Sequence, residues 1–69
     1  MNKKDAFPKE RAIKLREHLE LTQTEMAVRF RVTEQSLRGW ERGKNFITGT
    51  AYRLYELEEA LARRRINIP

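Results

Sequence analysis

Sixty-nine residues without a cysteine allow one domain with a modest core, and exclude a disulfide framework or a thiolate metal site as its brace. Fifteen Lys and Arg against ten Asp and Glu give a formal net charge of +5, which points to a polyanion such as nucleic acid or an anionic membrane surface. No apolar run approaches the roughly 20 residues that span a bilayer. The start, Met1-Asn2-Lys3-Lys4-Asp5, lacks the apolar stretch of a secretory signal, so the expectation is a soluble, cytoplasmic protein.

Taken in chain order, residues 1–6 read as a loose polar arm. A first helix is expected over residues 8–19, because Pro8 suits a first helical turn and Ala12, Leu15 and Leu19 recur on one face. Thr22-Gln23-Thr24-Glu25 is a capping-box pattern that opens a second helix over residues 23–30, with Met26, Ala27 and Phe30 inward. Thr33 caps a third helix over residues 34–42, and Gly43 closes it. After Lys44-Asn45-Phe46-Ile47, Thr48 is positioned to cap a fourth helix reaching about residue 64, with Ala51, Leu54, Leu57 and Leu61 as its apolar face. Residues 65–69 read as a tail of extended character. The expected architecture is an all-α, compact four-helix domain of helix-turn-helix type covering residues 1–69, with the motif itself at about residues 23–42.

Two short helices about three residues apart form the unit that places a recognition helix in DNA. At about 100° per residue, Leu37 and Trp40 of the third helix share a core side, and Glu34, Gln35, Arg38, Gly39 and Arg42 collect opposite. Gln pairs with adenine, Arg with guanine, and Glu accepts from cytosine. The hydroxyls of Thr33 and Ser36, at the margins, have the reach for phosphate oxygens. A solvated surface helix shows polar residues outward too; the spacing, the caps and the net charge favour DNA.

Other features carry blander readings. His18, with no Cys and no second His, is not a metal site. Glu56, Glu58 and Glu59 read as a solvated helix face. No Gly-rich phosphate loop or nucleophile motif is present, so neither catalysis nor a cofactor is expected. Arg63-Arg64-Arg65 suits a helix C-terminus, where the macrodipole favours cations, and Glu59 to Arg63 is an i,i+4 pair; nucleic-acid contact is the alternative. Ile66-Asn67-Ile68 could pair as a strand across a dimer axis, or Phe46, Ile47 and Tyr52 could seal that interface instead.

The runs Leu15-Arg16, Leu21-Thr22-Gln23-Thr24-Glu25-Met26-Ala27 and Val32-Thr33-Glu34-Gln35-Ser36-Leu37-Arg38-Gly39-Trp40-Glu41-Arg42-Gly43-Lys44 resemble the Cro/repressor (Xre-type) helix-turn-helix family. That family includes phage repressors and many bacterial antitoxins and regulators. The resemblance covers about residues 9–62 and implies roles by position. Glu34, Gln35, Arg38 and Gly39 stand where the family reads bases. Gln23, Thr33, Ser36, Arg42, Lys44 and Asn45 match positions that touch the DNA backbone, and Arg16 with Glu41 matches an ion pair joining helices one and three. Two residues depart from the pattern: Arg31 stands where the turn usually has Gly, and Gly39 where a long side chain often reads a base. A left-handed Arg31 would cost about 1 kcal/mol, so a slightly altered turn is expected, with the basic side chain in reach of phosphate.

The expected function is therefore a sequence-specific double-stranded DNA-binding regulator, a repressor or autorepressor acting as a homodimer on a pseudo-palindromic operator. The alternative is the antitoxin or accessory regulator of a two-gene system, which also binds a protein partner. A module that keeps the fold without binding DNA is disfavoured by the basic outward face of helix three. RNA is left open, although no aromatic lies on that face to stack an unpaired base.

Overall fold

The computed structural model describes residues 5–66, with side chains through residue 64. Four helices follow one another: α1 (Lys9–His18), α2 (Gln23–Phe30), α3 (Glu34–Arg42) and α4 (Gly49–Ile66). The boundaries of α2 and α3 are those the caps dictate. Pro8 is not inside α1 as expected but caps it, in extended conformation, and its carbonyl accepts from the Ala12 amide. The last helix runs to Ile66, so the first two residues of the expected tail are helical; residues 67–69, and residues 1–4 of the expected arm, lie outside the described residues.

The first three helices end in the same way. Just past each helix an amide bonds back five positions, from Leu21 to Arg16, Val32 to Ala27 and Lys44 to Gly39. The amide before it bonds to Glu17, Val28 and Trp40 respectively. This paired arrangement satisfies the orphan carbonyls of a helix end and requires positive φ at the residue before the last donor. Gly43 adopts that conformation freely at φ 80°, but Glu20 and Arg31 do so at 58° and 59°, against their Cβ sterics.

The core gathers Ala12 and Leu15 of α1, Met26, Ala27 and Phe30 of α2, Leu37 of α3, and Ala51, Tyr55 and Ala62 of α4. Phe7 and Ile47 complete it. They are joined as an isolated antiparallel bridge, with the Phe7 amide donating to the Ile47 carbonyl at 2.9 Å. Tyr55 lies at the centre: its ring stacks on Phe7 at 5.4 Å and meets Phe30 and Trp40 edge-on at 4.8 and 6.1 Å.

That centre corrects two expectations. The buried face of α4 is Ala51, Tyr55 and Ala62, while Leu57 and Leu61 are 60% and 39% exposed and Leu54 packs only in part. Both faces of α4 are apolar at helical spacing, so periodicity does not choose between them; the aromatic cluster does. Ile47 is core and not free to seal an interface, which leaves Phe46 as the exposed member of that trio and Tyr52 half-buried. Nor are the α4 carboxylates merely solvated: Glu59 pairs with Arg11 of α1, and Glu58 with Arg29 of α2 at 2.8 Å. Glu59 also meets Arg63 at 3.5 Å. No helix among the described residues is long and apolar enough to cross a membrane.

Candidate nucleic-acid interface

The motif is set by local chemistry at three points. Thr22 and Glu25 form a complete capping box, with the Glu25 amide donating to Thr22 Oγ1 at 3.1 Å and the Thr22 amide to Glu25 Oε1 at 2.8 Å. Thr33 Oγ1 accepts the Ser36 amide at 3.0 Å and opens α3. Between them Arg31 takes the left-handed conformation (φ 59°, ψ 42°), so the turn keeps the shape that glycine would give it. The altered turn expected from Arg31 is therefore not what the chain adopts; it accepts the backbone penalty. Arg31→Gly is expected to stabilise the protein by about 0.5–1 kcal/mol, the relieved strain less the entropy that glycine adds to the unfolded chain. A thermal melt should show Tm rising by several degrees; an unchanged or lower Tm would mean that the Arg31 side chain contributes as much as its backbone costs.

A buried ion pair braces α3 from behind. Arg16 of α1 meets Glu41 of α3 through two bonds of 2.7 and 3.1 Å, and also donates to the Leu21 carbonyl at 2.9 Å. Gln23 Nε2 donates to the same Glu41 at 3.1 Å. Gln23, expected at a phosphate, is thus half-buried and spends one amide hydrogen internally, keeping the other and its backbone N–H at the start of α2. Burial raises the phenol pKa of the neighbouring Tyr55, and the charge of Glu41 adds to the rise.

On the opposite side of α3, Gln35, Arg38 and Arg42 are exposed together. Glu34 is held where it stands: it accepts from Thr24 Oγ1 of α2 at 2.8 Å and pairs with Arg38. The Thr24 bond chiefly, and the charge of Arg38 with it, lower the Glu34 pKa, so the pair is ionised at neutral pH and cancels its own charge. Thr33 donates to Ser36 Oγ at 2.9 Å, so the two hydroxyls expected at phosphates share one bond at the helix margin. Arg31, Lys44 and Asn45 are exposed at the two ends of α3.

Gly39 does not present an open surface. It lies on the outward side next to Gln35, yet it is buried, because Asn45 from the following loop covers it. Lys9 is a basic residue that sequence reasoning passed over: its side chain lies over Gly43, at the C-terminal end of α3 beside Lys44. Nothing local marks it, since it sits 34 positions away in the first turn of α1 and only the fold brings it there. Among the described residues no group of His, Cys, Asp and Glu is placed to hold a metal ion.

No curated protein and no solved structure matches the chain. A family model described as helix-turn-helix matches residues 13–64, most of the sequence and all of the α2–turn–α3 unit. Family and geometry agree on a DNA-binding regulatory fold in place of an enzymatic one: the chain belongs to the Xre/Cro-type helix-turn-helix family.

Proposed function

We propose that the protein is a sequence-specific transcriptional repressor that binds duplex DNA as a homodimer, with α3 of each protomer in the major groove of one half-site. The observation that carries this is the outward face of α3. Gln35, Arg38 and Arg42 stand exposed on one side of a helix whose carboxylates are both engaged, Glu34 with Thr24 and Arg38 and Glu41 with Arg16. Arg38 and Gln35 read bases, Arg38 as a fork on guanine O6 and N7, with Glu34 orienting the guanidinium before it docks. Arg42, Lys44, Arg31, Ser36, Thr33 and the start of α2 at Gln23 take phosphates, which fix the register without carrying sequence information. One such helix reads only a few base pairs, so a useful site requires a second copy across a two-fold axis.

The test is selection of binding sites from randomised duplex DNA, followed by sedimentation of the complex on the selected site. Two half-sites about 34 Å apart, one turn of DNA, with two protomers bound, are expected. A one-to-one complex on the minimal site overturns the dimer, and the absence of any sequence preference overturns the whole proposal. Arg38→Ala should cost about 1–3 kcal/mol on the selected site and much less on random DNA, with one base pair per half-site relaxed. Equal losses on both would move Arg38 to the backbone contacts and leave Gln35 as the reader.

A further inference from the structure

We infer that Asn45, from the loop after α3, is a base-reading residue: its amide occupies the place on the reading face that Gly39 leaves bare, and recognises adenine. The inference rests on the duplex-DNA reading above and goes beyond it, since that reading puts only helix residues on the bases. On a helical wheel Gly39 falls between Gln35 and Ser36, on the side away from Leu37. It shares the outward side with Gln35, one turn before it, so a long side chain there would project towards a groove beside Gln35. Yet Gly39 is buried while its neighbours Arg38 and Arg42 are exposed.

The cover is the Asn45 side chain. A Cβ on residue 39 would stand 2.6 Å from Asn45 Nδ2 and 3.6 Å from Asn45 Cγ, so the amide lies where an alanine methyl would be. The loop is tied down to keep it there: the backbone amides of Lys44 and Asn45 both donate to the Gly39 carbonyl, at 2.9 and 3.2 Å. Asn45 itself remains exposed. A glycine inside a helix is unfavourable relative to alanine, so Gly39 is explained by the close approach it permits, not by helix formation. The product is a short carboxamide, on a loop whose backbone is anchored to α3, that lies over Gly39 beside Gln35. A carboxamide donates and accepts side by side, which matches adenine N6 and N7 in the major groove.

Four proteins test this in the same site selection: the unaltered chain, Asn45→Ala, Gly39→Ala and the double variant, each checked for its fold by circular dichroism. The unaltered chain is expected to select an adenine in each half-site, and Asn45→Ala to lose that preference by about 5- to 150-fold, with the rest of the site retained. Gly39→Ala should relax the same base pair, because its methyl displaces the amide, although alanine itself favours the helix. The double variant should lose nothing more at that position. Equal weakening of selected and random DNA by Asn45→Ala would make Asn45 a backbone contact and overturn the inference. So would a Gly39→Ala protein that keeps the adenine. If the unaltered chain selects no sequence, both this inference and the DNA-reading proposal fall; if it selects one that these variants leave intact, only this inference does.

Discussion

Tyr55→Ala is expected to unfold the protein, and Tyr55→Phe to make it more stable. The Tyr55 side chain is fully buried and is the common neighbour of Phe7, Phe30 and Trp40, so it ties α4 to the N-terminal segment, to α2 and to α3. Truncating a buried aromatic costs about 3–5 kcal/mol, and a core in a chain this short rarely supplies more than about that. The hydroxyl works in the other direction, having no hydrogen-bond partner among the described residues. A buried, unpartnered polar group costs about 1–3 kcal/mol, which phenylalanine recovers while keeping every ring contact. Urea denaturation distinguishes the outcomes, and a Tyr55→Phe protein less stable than the parent would show that the hydroxyl is bonded after all. Alkali offers an independent check. Burial raises the phenol pKa, the charge of Glu41 raises it further and Arg16 opposes them, so the folded chain retains a proton that the unfolded chain releases. This contribution is fully present below the ordinary tyrosine pKa of about 10 and is lost as pH rises beyond it. Tyr55→Phe should lose less stability than the parent over that range.

The second large effect is expected at Glu41. Glu41→Ala should destabilise the protein by about 3–5 kcal/mol, because it leaves Arg16 without its counter-charge in a place where water cannot fully replace it. The side chains of Arg16 and Glu41 are only 17% and 5% exposed. The same substitution releases the Gln23 amide, so the start of α2 and the back of α3 loosen together. DNA affinity should fall with stability even though Glu41 faces away from the reading surface. Arg16→Met with Glu41→Leu should recover most of the lost stability, since a buried ion pair is often replaceable by apolar side chains of similar size. Chemical denaturation of the two proteins is sufficient to check it. A single-variant loss below about 1 kcal/mol would place the pair with solvated surface salt bridges.

What the sequence by itself determined is what depends on residues three or four positions apart. The bounds of α2 and α3 follow from Thr22 with Glu25, from Thr33 with Ser36, and from Gly43, because a cap is a bond between near neighbours and leaves a fixed spacing in the chain. The inward positions Met26, Ala27, Phe30 and Leu37 follow in the same way, since α2 and α3 each have one apolar face. The partnership of Arg16 with Glu41, 25 positions apart, was legible only through the family resemblance. Tertiary structure decided the rest. Helix α4 has two apolar faces of equal spacing, and only the space among Phe7, Phe30 and Trp40 selects Tyr55 over Leu57. The left-handed Arg31 is disfavoured locally and persists because packing of α2 against α3 outweighs a penalty of about 1 kcal/mol. The cover of Gly39 by Asn45 and of Gly43 by Lys9 arises where a loop and a distant helix pass over bare backbone. A glycine in a sequence does not say what will fill the room it leaves; the chain that folds against it does.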